Sequence, residues 1–201
     1  MIWPHDHHDA MLSVVFRVDA SLNIGSGHVM RCLTLAGELK KTGVVCQFIC
    51  REHNGNLIDI IRNNGYLVHA LSAISDIPPI YNDVDSLAHA HWLGCTWQQD
   101  AAECSDVLSA LQPDWLIVDH YALDIEWENA LRSHCLYIGV IDDLADRRHI
   151  GELLIDQTLD RSSAEYQDLV PNSCTLLTGA RYALLRPEFS QSRAASLKRR
   201  T

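Results

Sequence analysis

Apolar and polar positions along this chain switch repeatedly between two periods. Residues 13–18 (SVVFRV) form a short apolar run of the kind a buried strand carries. Residues 29–41 then place Val29, Cys32, Leu33 and Ala36 on one helical face, with Leu35 and Leu39 beside it, and Gly43 follows as a stop signal. The alternation continues with a strand over 44–50 (VVCQFIC), a helix over 56–64 ended by Gly65, and a strand over 66–71. Pro78-Pro79 breaks residues 73–96, which predict no clear element. Beyond them come a helix over 96–111 with Thr96 as its cap, a strand over 115–118, a helix over 125–133, and strands over 136–141 and 153–155. Strands alternating with helices in this way predict an α/β fold on a mainly parallel sheet.

The length of 201 residues suits one ordinary domain and is too short for two large ones. An apolar share of 47% and a charged share of 21% exclude wholesale disorder. A formal net charge of -10 argues against general nucleic-acid binding and against an anionic membrane surface. No apolar run approaches the roughly 18 residues that a membrane span needs. The seven cysteines are scattered, with no C-x-x-C pair, and read as reduced, mostly buried thiols of a cytoplasmic protein. The start, MIWPHDHHDA, lacks the basic and apolar regions of a signal peptide. Its His5, His7 and His8 with Asp6 and Asp9 have metal-binding chemistry, but a terminal polar tract of this kind reads first as disorder, and Met11 is an alternative start. Residues 1–12 are therefore expected to be an extension, 13–190 the domain, and 191–201 a polar, basic tail or the start of a linker.

Candidate chemistry concentrates in Arg17–Arg31, RVDASLNIGSGHVMR, which joins the first strand to the first helix. Ligands of open parallel sheets bind at the carboxyl ends of the strands, so a site belongs here. Gly25 and Gly27 let the backbone approach a ligand, Ser26 can cap the helix, and the free N–H groups of the first turn can face an anion. A dinucleotide fingerprint fails: Met30 stands where the third glycine would fall, and Arg51 ends the second strand where an acid is wanted. His28 lies in the first helical turn, where the dipole disfavours imidazolium, so a neutral ring able to take a proton is expected. The alternative is a histidine that merely packs the turn. Arg17 and Asp19 share a strand face; they form either a surface ion pair or an arrangement in which Asp19 orients a catalytic group.

Asp119-His120-Tyr121 falls at another carboxyl end, where a tyrosine hydroxyl can meet a sugar or phosphate. Asp142-Asp143 follows a further strand; adjacent acids point apart there, so capping is the expected role. His120, His134 and His149 lack metal-ligand spacing and are expected to be structural.

The run RVDASLNIGSGHVMRCLTLAGEL resembles the N-terminal signature of the UDP-2,4-diacetamido-2,4,6-trideoxy-β-L-altropyranose hydrolase family of pseudaminic acid biosynthesis. DWLIVDHYALDIEWE, VIDDLADRRH, LLIDQTL and YALLRPEF look like further segments of it in the same order, so the resemblance spans about residues 14–189. It implies a Rossmann-like domain corresponding to the N-terminal half of a GT-B glycosyltransferase fold, with the site in a cleft between two such domains. It implies His28 as the base that activates water for attack on the anomeric carbon, with UDP leaving, and no metal or other cofactor. Gly25, Ser26, Gly27 and Tyr121 would lie against the substrate, and Arg17, Asp19, Arg31 and Asp119 near it. The partner implied is a UDP-sugar, not nucleic acid or a membrane. A second domain holding most contacts to UDP is expected to be needed, so this chain alone should turn over little or nothing. A glycosyltransferase acceptor domain and a non-catalytic fragment are the competing expectations.

Overall fold

The β-branched and aromatic run Ser13–Val18 forms strand β1, and all but its first residue are buried. A strand that apolar must be covered on both faces, which places it inside a parallel sheet. The computed structural model describes residues 11–73 and 87–185. Over them the chain runs β1, α1 (Gly27–Lys41), β2 (Val45–Arg51), α2 (Ile58–Asn63), β3 (Leu67–Leu71), α3 (Trp97–Leu111), β4 (Trp115–Asp119), α4 (Ile125–Leu131), β5 (Tyr137–Ile141), β6 (Leu153–Asp156) and β7 (Thr175–Thr178), with short 3-10 turns between. The extension before residue 11 and the tail over 191–201 lie outside the described residues, as does Pro78-Pro79.

The seven strands form one parallel sheet in the order β3-β2-β1-β4-β5-β6-β7. Every neighbouring pair is parallel, so the expected mainly parallel sheet is wholly so among the described residues. The order reverses between β1 and β4. In doubly wound sheets the crevice at such a switch point is where ligands bind. Each expected strand and helix is present, with ends moved by one or two residues. The missed strand is β7: TLLT sits at the sheet edge, exposed or half-buried throughout, so it lacks the apolar run that marks the inner strands.

Alternate residues of β1 supply two cores. Val14, Phe16 and Val18 pack with Cys32, Ala36, Phe48 and Ile61 under α1 and α2. Val15 packs on the other face with Ile49, Leu108, Leu116 and Trp127 under α3 and α4. Phe16 and Phe48 stack with ring centroids 4.9 Å apart. The Thr96 side chain caps α3 as expected, accepting the Gln99 N–H at 3.2 Å. All seven cysteines are free thiols, five of them buried. No helix among the described residues is long and apolar enough to cross a membrane.

Candidate active site

The loop between β1 and α1 is folded by its own backbone. Gly25 donates its N–H to the Ser21 carbonyl at 2.8 Å, and its φ of +79° is one that L side chains rarely adopt. Residues 25–27 are exposed, and a Cβ on Gly25 or Gly27 would meet nothing within 4 Å. Bare backbone therefore borders open space just where α1 begins. No acid lies in the first turn of α1, so its unpaired N–H groups face outward uncontested. Ser26 holds the N-cap position, but its side chain makes no capping hydrogen bond, contrary to expectation.

His28 follows on the inner side, 6% exposed. Its Nδ1 lies 3.2 Å from Asp119 Oδ1 and 3.3 Å from the Asp119 backbone carbonyl. Both atoms only accept, so Nδ1 must carry the hydrogen. In the neutral ring Nε2 then holds the lone pair, and it has no hydrogen-bond partner among the described residues. The helix dipole is thus not the only charge at this ring; β4 supplies a carboxylate to orient it.

Asp119 is itself pinned. Arg31 grips it with two parallel bonds, Nε to Oδ2 and Nη2 to Oδ1, both 2.6 Å. Burial alone would push the Asp119 carboxyl up; His28 and the Arg31 guanidinium outweigh it and hold Asp119 below the ordinary carboxylate range. Arg31 Nη1 reaches Asp143 at 2.8 Å, and Asp143 also accepts the Tyr121 hydroxyl. Burial and Asp143 together push the Tyr121 phenol up, so the hydroxyl keeps its proton. Arg31 is thereby held by two carboxylates rather than left free for a phosphate.

An aromatic wall stands over these groups. The Tyr121 ring meets His28 edge-on at 4.5 Å and stacks on Trp92 at 5.6 Å. His89 packs on Trp92 at 4.4 Å, and the Arg147 guanidinium lies 5.7 Å from the Tyr121 ring centre.

The structure therefore brings His28, Arg31, Asp119 and Tyr121 together beside the Gly25–Gly27 backbone. Arg17 and Asp19 are elsewhere. They do form an ion pair, at 2.6 Å, but both are fully buried rather than on the surface. Arg17 gives its remaining nitrogens to Asp100 of α3 at 3.1 and 2.6 Å, and no part of it is exposed. Asp19 faces His53 and His120, not His28. The reason is strand geometry: the side chain of residue 17 points to the α3 face, whereas α1 with His28 packs on the opposite one.

Of the adjacent acids, Asp142 is buried and accepts the Ala145 N–H at 3.0 Å and the Tyr166 hydroxyl at 2.8 Å, a turn-capping role as expected. Asp143 points the other way, into the site. Capping was expected of Asp143 too; its place at the end of the strand beside β4 is the signal that could have marked it as a site residue. His134 bonds Ser105 and Ser109 hydroxyls, and His149 pairs with buried Glu128 at 2.5 Å. Trp92 and His89 lie in the stretch without readable periodicity, so the sequence offered no handle on them.

The wholly parallel seven-stranded sheet, with its switch point between β1 and β4, is a Rossmann-like α/β fold of the kind found in GT-B proteins. The fold likeness agrees: the crystal structure of MurG from Acinetobacter baumannii, a GT-B glycosyltransferase, superposes with a TM-score of 0.50 at 10% identity, over 77% of this chain and 44% of that one. No protein-family model matches the chain. In sequence it is similar to the UDP-2,4-diacetamido-2,4,6-trideoxy-β-L-altropyranose hydrolase of Campylobacter jejuni, with 29% identity over 181 residues, 90% of this chain. The resemblance read from its motifs thus holds across most of its length. The chain spans about half of that relative, 54%.

Proposed function

We propose that this chain forms the His28-bearing half of a hydrolase that splits a UDP-linked 2,4-diacetamido-2,4,6-trideoxy sugar into free sugar and UDP. The observation that carries the reading is the His28 ring, with Nδ1 held by Asp119 and Nε2 without a hydrogen-bond partner among the described residues, one residue on from the open Gly25–Gly27 backbone. Nε2 takes a proton from water as the water oxygen bonds to the anomeric carbon. The bond from that carbon to the diphosphate oxygen breaks, and UDP leaves with the electron pair. The N–H groups at the start of α1 stabilise the charge that develops on the diphosphate. Arg31 acts on the reaction through Asp119, by fixing the carboxylate that fixes His28. Tyr121 offers a protonated hydroxyl, and Trp92 behind it an apolar wall. Arg17 and Asp19, both buried, serve this scheme by holding the end of β1.

A cleft needs two walls, and the reading includes a second, UDP-binding domain opposite the carboxyl edge of the sheet. The reduced, mostly buried cysteines suit a cytoplasmic setting. The test joins the chain to the C-terminal portion of the Campylobacter relative and follows UDP release in ¹⁸O-labelled water. The label is expected in the sugar and not in UDP, with little turnover by the 201-residue chain alone. A new glycosidic bond in place of free sugar would make the protein a transferase. Fast UDP release by the isolated chain would overturn the two-walled scheme.

A further inference from the structure

Asp19 stands across β1 from His28 and is only half engaged. Its Oδ1 accepts Arg17 Nη1 at 2.6 Å and the Arg51 backbone N–H at 2.7 Å. Its Oδ2 is buried with no hydrogen-bond partner among the described residues, as are His53 Nε2 and His120 Nε2. Yet those nitrogens lie 3.4 and 3.5 Å from it. The His120 tautomer is fixed, because its Nδ1 accepts the Ala122 N–H at 3.0 Å and Nε2 therefore carries hydrogen. His53 Nε2 faces the same acceptor-only oxygen, which favours a hydrogen on Nε2; in the neutral ring Nδ1 then has the lone pair.

The Cε1–Nδ1 edge of His53 lies against Gly94. A Cβ there would come within 2.8 Å of Cε1 and 3.3 Å of Nδ1, and Gly94 has φ +72°. His53 also lines a cavity of about 320 Å³, together with Ser21, Asn23, Asn54, His91 and Trp92, among others. That is near the lower end of ligand pockets, roughly 300–1,000 Å³, and suits a single ring. Among the described residues its lining holds no carboxylate, lysine or arginine. Such a pocket favours a neutral ligand, with amides and hydroxyls to pair polar groups and an indole to cover an apolar face. Trp92 also stacks on Tyr121, which packs on His28, so the cavity and the candidate active site share a wall.

We propose that this cavity is a recognition subsite for a neutral, N-acylated sugar ring, and that His53, oriented by Asp19, determines its specificity by accepting a hydrogen bond at Nδ1 from a ligand N–H or O–H. The identity of the ring as part of the substrate rests on the hydrolase reading; the orientation of His53 by Asp19 stands without it. His53 is a binding group here, and the water-activating role stays with His28.

The test titrates the 201-residue chain, labelled with ¹⁵N-histidine, with N-acetylglucosamine, and separately with glucose and UDP. N-acetylglucosamine is expected to shift His53 Nδ1, glucose to do so more weakly, and UDP not at all. His53→Phe should weaken N-acetylglucosamine about tenfold, the worth of one lost hydrogen bond in a dry site, and His53→Gln should recover part of it. Asn23→Ala, on an exposed loop, gives a second measurement and should weaken binding about threefold. Sugar shifts confined to His28, or unchanged affinity in a natively folded His53→Phe together with Asn23→Ala, would overturn the subsite. UDP release by the joined enzyme is scored apart: hydrolysis without a His53 response removes the subsite alone, and a His53 response without hydrolysis removes the hydrolase reading alone.

Discussion

Asp119 closes β4 and Asp19 follows β1, and each turns a carboxylate toward histidine. Asp119 has both oxygens gripped by Arg31, and its histidine borders the open glycine loop. Asp19 has one oxygen held by Arg17 and the Arg51 backbone and leaves the other between His53 and His120. Behind Asp19 the charges continue inward: Asp100 takes Arg17, Arg51 and the Trp127 indole N–H, and Arg51 reaches Glu103. The first arrangement points a single ring outward from a rigid anchor. The second ties four elements, β1, β2, α3 and α4, together in the interior and touches the cavity through His53. On the proposed reading, similar residue types serve chemistry on one side of β1 and architecture with recognition on the other.

The sharpest way to break this comparison is to exchange the histidines. In the enzyme completed with a second domain, His28→Asn should lower kcat by about 10²–10⁴-fold, the usual cost of a lost general base, with KM changed far less. His53→Asn should act mainly on KM. Equal kcat losses in steady-state assays would erase the distinction. Next in size is Asp100→Ala, which leaves buried Arg17 and Arg51 without their shared partner. It should cost about 3–5 kcal/mol in urea unfolding, since removing one member of a buried ion network strands the others. Asp143→Ala, whose side chain is 23% exposed, should cost much less.

A smaller effect separates the two sides by pH. Burial pushes the His120 imidazole down to about 3, against the residual attraction of Asp19. The unfolded chain binds this proton near pH 6.5 and the folded one does not. The contribution is therefore fully present above about pH 6.5 and is lost as pH falls toward 3. Moving from pH 7 to pH 5 should remove about 2 kcal/mol through this group, and His120→Gln should flatten that part of the urea-midpoint profile. The buried carboxylates Asp19, Asp100, Asp119 and Asp142 are all held low, so their contribution fades only at more acidic pH, below about 4. Smallest is Gly25→Ala, which forces φ +79° on an alanine with open space around it. About 1 kcal/mol of destabilisation, with His53 chemical shifts unmoved, is expected.

The sheet and its helices were legible because each inner strand is a short apolar run and each longer helix carries a 3.6-residue face. β7 was not, since an edge strand needs no such run. His28, Asp119 and Tyr121 were singled out as candidates by strand-end position, a rule that holds before any side chain is placed, and the structure brings them together. Arg17 was misplaced for the complementary reason. Its charge suggested a surface, and nothing local announced Asp100, 83 positions away, as its partner. The second histidine, His53, sits at a strand end too, but its meaning depends on Asp19, Gly94 and Trp92, which only the packed tertiary structure brings together.

The sheet order also sets a timetable for synthesis. β1, β2 and β3 emerge in succession and can pair at once, but the other edge of β1 waits for β4, and Ser13 bonds Asp114 across 101 positions. Until about 100 further residues have left the ribosome, Val14 to Val18 offer a bare hydrogen-bonding edge, a template for pairing with other chains. His28 and Asp119 lie on opposite banks of that seam. Nascent chains stalled before residue 115 should recruit chaperones at this edge, and those stalled well past residue 119 should release them, so completing the active site and sealing the sheet become the same folding event.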